Sequence, residues 1–120
     1  MKNIDSISKL EEIVRQFCSD RDWDQFHSQK DLAIGIVTEA AELLDLFRFK
    51  TNDEIALKIR DEKFKEKIEH ELADIFFFVL RFGQMNNIDI SQALSKKLLQ
   101  NAEKYPIDRA KGSNKKYNEE

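Results

Sequence analysis

The sequence predicts an all-α fold, a four-helix bundle, on three observations. Apolar residues recur every three to four positions through most of the chain, the period of helices with one buried face. Only three Gly and one Pro interrupt 120 residues, and 36% of the residues are charged, a composition of helices joined by short turns. Two carboxylate pairs at i,i+3 spacing, Glu39 with Glu42 and Glu71 with Asp74, fall where the chain is otherwise most apolar.

The first helix starts near Asp5 or Ser6 and runs to about Cys18, with Ile7, Leu10, Ile13, Val14 and Phe17 on one face. A polar link, Ser19 to Asp22, leads into the cluster Trp23, Phe26 and His27. Ser28, with Asp31 three residues on, gives the second helix a capping-box start. This helix continues to about Phe49. It is apolar nearly all round, from Leu32, Ile34, Ile36 and Val37 to Leu43, Leu44, Leu46 and Phe47, and so belongs at the centre of the bundle. Residues 50–61 form a polar connector with room for one or two helical turns after Asn52. The third long helix spans about Glu62 to Met85, with Phe64, Ile68, Leu72, Ile75, Phe76, Val79 and Leu80 facing inward. Asn86-Asn87 breaks it. Asp89, with Gln92 three residues later, caps a last helix through Leu94, Leu98, Leu99 and Ala102 to Tyr105, where Pro106 stops it. The expectation is a single domain over 1–120, with about 107–120 a loose basic tail in the absence of a ligand.

The formal net charge of −3 lacks the basic excess of a nucleic-acid binder. The single Cys18 cannot close an internal disulfide. The opening MKNIDSISKLEE is charged within its first residues, unlike a signal peptide, and acidic or basic residues break every apolar run short of a membrane span. A soluble cytoplasmic protein is the expectation.

Glu39 sits among Leu32, Gly35, Leu43 and Leu46, and Glu71 among Phe64, Ile75, Phe78 and Phe82. Carboxylates in an apolar stripe are costly unless something satisfies them. Brought together they repel, and a hard divalent cation is the usual remedy. By contrast Glu11-Glu12 and Glu66-Glu69 read as solvated helix faces. An all-carboxylate set without Cys or paired His favours Mg²⁺, or Mn²⁺, over zinc. A di-iron site would want Glu-x-x-His, and His70 is displaced from Glu71 by roughly 100° around the helix. Magnesium held this way keeps positions open for water and phosphates, so phosphoryl transfer or phosphoanhydride hydrolysis is the implied chemistry.

Several segments together resemble the MazG-like all-α nucleoside triphosphate pyrophosphohydrolases. They are Trp23-Asp24-Gln25-Phe26-His27, Asp31-Leu32-Ala33, Glu39-Ala40-Ala41-Glu42-Leu43, Leu46-Phe47 and Glu71-Leu72-Ala73-Asp74-Ile75. Asn101 to Pro106, Lys111-Gly112-Ser113 and Lys116-Tyr117 complete the set. Their order and spacing are similar to the dCTP pyrophosphatase branch, over about residues 10–118. The resemblance implies Mg²⁺-dependent hydrolysis of a (deoxy)nucleoside triphosphate to the monophosphate and pyrophosphate. It places the metal on Glu39, Glu42, Glu71 and Asp74, with Glu39 or Glu42 as the base that helps deprotonate water. It assigns Asn101 and Lys104 to the sugar and phosphates, Lys111 and Lys116 to a tail closing over the triphosphate, and Trp23, His27 and Phe49 to the base.

Three departures leave the preferred base open. Phe49 stands where many relatives have Trp, Phe78 replaces a Tyr near the sugar or base, and Asp31 stands where that branch often has Asn. A dUTP or phosphoribosyl-ATP hydrolase of related fold, or a non-catalytic metal-binding oligomerisation module, are the competing readings. The second helix carries more apolar surface than three partner helices cover, so a homodimer or homotetramer is expected.

Overall fold

The computed structural model describes residues 6–119; the alternative helix start at Asp5 lies outside them. The chain is all-α and divides into two compact units that part between Ile88 and Asp89.

In the first unit, α1 (Ile7–Asp20) starts where the Ser6 hydroxyl accepts from the Lys9 N–H at 3.2 Å. It runs two residues beyond the expected Cys18. Its end is a left-handed turn: Asp22 takes φ 55°, and the Trp23 N–H reaches back to the Cys18 carbonyl. A single 3₁₀ turn (Asp24–Phe26) follows. α2 (Gln29–Asp45) opens on Ser28, whose Oγ accepts from the Asp31 N–H and donates to the Asp31 carboxylate. It stops four residues short of the expected Phe49, because the chain turns through 46–49 with Phe49 at φ 65°. α3 (Asn52–Lys58), capped by Thr51, fills the connector as expected. α4 (Glu62–Met85) ends as the asparagine pair predicts: Asn87 takes φ 55° and the Ile88 N–H bonds the Gly83 carbonyl.

α1 and α2 both pack on α4. Among the described residues the buried apolar side chains are Cys18, Leu32, Phe64 and Leu80, one from each of α1 and α2 and two from α4. α2 approaches α4 closely at Gly35, where an added Cβ would lie 2.5 Å from the Phe78 ring. Two expected inward residues differ: Leu72 and Phe76 are 50% and 39% exposed. α4 turns Phe77 and Phe78 towards its neighbours instead, and both are half-buried. The far face of α2 is open, with Ile34, Val37 and Leu44 between 52% and 69% exposed.

The second unit holds α5 (Ile90–Lys104), capped by the Asp89 carboxylate on the Gln92 N–H, and a one-turn α6 (Ile107–Ala110) within the expected tail. After it the chain bends back within this unit. The Tyr117 ring meets Tyr105 edge to face at 6.1 Å and lies under the Lys104 ammonium at 5.1 Å. No helix among the described residues is long and apolar enough to cross a membrane.

Candidate metal centre

The i,i+3 spacing puts Glu39 and Glu42 on one face of α2, and the close pairing of α2 with α4 brings Glu71 to the same place. One carboxylate oxygen from each of Glu39, Glu42 and Glu71 lies within 4.8 Å of the others. Glu39 and Glu71 are half-buried, whereas Glu42 is exposed, as is Asp74, whose oxygens are not among those three. Asp74, one turn beyond Glu71, adds its negative charge to both inner carboxylates.

The Glu39 and Glu71 Oε2 atoms are buried and have no hydrogen-bond donor among the described residues. Burial first, then contact with Glu42 and the charges of Glu42 and Asp74, pushes Glu39 up to about 7. Burial also raises Glu71, reinforced by the Glu42 and Asp74 charges; its contact with Glu39 acts in the opposite sense. Carboxylates that touch only one another can satisfy the contact only by sharing a proton, and Glu39 is the better place for it. A divalent cation does the same work without a proton. The oxygen-only donors and the two orphaned oxygens fit a hard ion of the Mg²⁺ or Mn²⁺ kind.

A run of aromatic rings starts on α4 beyond the carboxylates. Phe78, one turn after Asp74, meets Phe77 at 5.3 Å, and Phe77 meets Phe17 at 6.2 Å. Phe17 meets Trp23 at 5.5 Å, and Trp23 meets His27 at 6.1 Å, every contact edge to face. Three residues expected around the base, Trp23, His27 and Phe78, therefore belong to one run of rings. Phe49 does not: it is 92% exposed after α2, with the Arg48 guanidinium over its ring. Asn101, half-buried, and Lys104, Lys111 and Lys116, exposed, all lie in the second unit.

Sequence reasoning missed Arg81. Its side chain, 1% exposed, donates from Nε to His27 Nδ1 at 2.8 Å and from Nη1 to Gln84 Oε1 at 2.7 Å, and Nη2 pairs with the Asp24 carboxylate. Gln84 in turn donates to the Glu11 carbonyl of α1 at 2.8 Å. The signal was present: Arg81 interrupts the run Phe76 to Phe82, as Glu39 and Glu71 interrupt theirs.

Residues 34–119 match the MazG-like family. The chain is 32% identical over 111 residues to dCTP pyrophosphatase 1 of Mus musculus, covering 90% of this chain and 65% of that protein. It is 31% identical over 113 residues to dCTP pyrophosphatase 1 of Homo sapiens, covering 92% of this chain and 66% of that one. The chain thus spans about two thirds of the length of these relatives. A solved pyrophosphatase from Archaeoglobus fulgidus superimposes with a TM-score of 0.78 at 30% identity, over 88% of this chain and 97% of that one.

Proposed function

The chain belongs to the MazG-like family, and from that footing we propose that it hydrolyses a nucleoside triphosphate to the monophosphate and pyrophosphate. The substrate is a pyrimidine deoxynucleoside triphosphate, dCTP or a modified form of it, in keeping with the relatives named dCTP pyrophosphatase 1. The observation that carries this reading is the acidic cluster with its two orphaned buried oxygens.

Glu39, Glu42, Glu71 and Asp74 would hold the divalent ion, Mg²⁺ with Mn²⁺ as a substitute. When bound, the ion supplies charge neutralisation for the triphosphate and a more acidic coordinated water. A carboxylate beside that water is what takes its proton. Glu39 and Glu42, the two α2 carboxylates of the cluster, are the two candidates for that base. The attacked atom is the α-phosphorus, and pyrophosphate is the leaving group. Trp23, His27, Phe78 and the exposed Phe49 offer ring surface to the base. Asn101, Lys104, Lys111 and Lys116 bring donors and positive charge suited to sugar and phosphates.

The working protein is a homodimer or homotetramer in the cytoplasm, its free α2 face covered by another copy. A stretch containing Ile34, Val37 and Leu44, all more than half exposed, favours that assembly. The test is pyrophosphate release from a panel of nucleoside triphosphates with Mg²⁺ or Mn²⁺. Equimolar monophosphate and pyrophosphate, fastest from dCTP or its analogues, is the expected result. Failure to release pyrophosphate from any of them would leave the non-catalytic metal-binding module as the better account.

A further inference from the structure

Arg81 is almost wholly removed from water on α4, yet it carries a permanent charge. Burying such a charge is unfavourable unless partners satisfy it, and an apolar side chain would fill the space with less penalty. Its three bonded N–H groups are committed to different partners: Asp24 at the start of the 3₁₀ turn, His27 just after its end, and Gln84, which extends the network to the α1 backbone. The guanidinium is thus a clamp holding the Trp23–His27 turn to α4.

The contact with His27 also has a direction. A guanidinium N–H can only donate, so Nδ1 of His27 must present its lone pair and the imidazole proton must sit on Nε2. A proton on Nδ1 would face the Arg81 Nε–H head-on. We propose that Arg81 is a positioning residue for the nucleotide site: it holds His27 as the neutral Nε2–H tautomer, so that His27 meets the substrate as a single fixed hydrogen-bond donor to an acceptor atom of the base. The substrate half of this statement rests on the pyrophosphohydrolase reading above; the tautomer half does not.

The groups around His27 agree with it. Burial and the Arg81 charge depress its basicity, while Asp24 in the same turn and Asp31 at the start of α2 oppose them, and the net direction is down. From α1, Cys18 lies in the same field of Arg81 and Asp24, its thiol raised by burial and so kept neutral. A positively charged His27 would need to surrender the Arg81 hydrogen bond.

Long-range ¹H–¹⁵N correlation spectra of uniformly ¹⁵N-labelled protein read the tautomer directly. Wild type at pH 7 is expected to show His27 with an unprotonated Nδ1 and a protonated Nε2, with a titration midpoint below the ordinary histidine value. Arg81→Lys, which keeps the charge and loses the fixed Nε–H, is expected to show mixed tautomers and a higher His27 midpoint. It should also raise KM for dCTP about tenfold, the effect of one misaligned hydrogen bond, with a smaller change in kcat and unchanged Mn²⁺ binding at the acidic cluster. A wild-type His27 that is Nδ1-protonated or an imidazolium at pH 7 overturns the proposal, whether or not the variant folds. An unmoved tautomer and an unmoved KM in folded Arg81→Lys overturn it equally. If wild type hydrolyses no nucleotide, the pyrophosphohydrolase reading fails, and the spectra still decide the tautomer.

Discussion

At the scale of single residues, the chemistry of Glu39 and Glu71 sets how the fold responds to pH and to loss of a carboxylate. Glu39 is raised from 4.5 to about 7 in the folded chain, so the metal-free fold holds a proton that the unfolded chain releases. Its contribution is fully present below the unfolded value and is lost as pH rises through about 7. Thermal melts in EDTA should therefore show Tm falling between pH 5 and 7.5, with a flatter slope for Glu39→Gln. Saturating Mg²⁺ should restore the loss at the upper end, since the ion binds only the folded cluster. Glu71→Gln removes one charge from the crowd. It should abolish turnover, keep the helical circular dichroism near wild type and melt no lower without metal. Turnover near normal at saturating Mg²⁺ would remove Glu71 from the site. These carboxylates were legible in the sequence because their i+4 and i+7 neighbours are apolar. Arg81 escaped, although it interrupts an apolar run in the same way, because its partners His27 and Asp24 are more than fifty residues away in sequence and only the fold joins them.

At the scale of the elements, helix starts were easier to read than helix ends. Ser6, Ser28 and Asp89 carry their capping role in a short side chain that bonds an N–H three residues on. The end of α2 has no such local mark. Leu46 and Phe47 continue the apolar pattern, and the stop at Asp45 comes with a turn that takes Phe49 into left-handed backbone, a conformation an aromatic residue adopts at a cost of about 1–2 kcal/mol. The inward face of α4 was likewise placed by periodicity alone, which does not tell which of four consecutive residues, Ile75 to Phe78, a neighbouring helix covers.

The α2–α4 pairing itself turns on Gly35. Alanine there would gain up to about 1 kcal/mol of helix propensity. Its Cβ, however, would stand 2.5 to 2.8 Å from three ring atoms of Phe78, including the one nearest the backbone, so the whole ring must move. Overpacking of this kind costs about 1–3 kcal/mol and outweighs the gain. Gly35→Ala should lower stability in urea melts by about 1 kcal/mol net. It should also weaken Mg²⁺ binding, because Glu39 lies one turn further along the splayed helix. An alanine variant as stable as wild type and with full metal affinity would show that the close approach does not set the cluster.

At the scale of the whole molecule, the all-α class followed from composition and period together, and no strand occurs among the described residues. A second helix apolar nearly all round raised the expectation of cover from another copy, and Ile34, Val37 and Leu44 are more than half exposed. Light scattering should accordingly give a mass of two or four chains, and Val37→Asp should shift it towards the monomer. A concentration-independent mass near 14.2 kDa with full activity would eliminate the oligomer.

If Glu39, Glu42, Glu71 and Asp74 direct water to the α-phosphorus of a nucleotide, the oxygen of that water ends in the monophosphate, and product analysis in H₂¹⁸O follows it. With dCTP and Mg²⁺, ¹⁸O should enter the monophosphate and not the pyrophosphate, with both products absent in EDTA and in Glu71→Gln. Label in the pyrophosphate, release of orthophosphate, or undiminished turnover without divalent metal would exclude metal-assisted attack at the α-phosphorus.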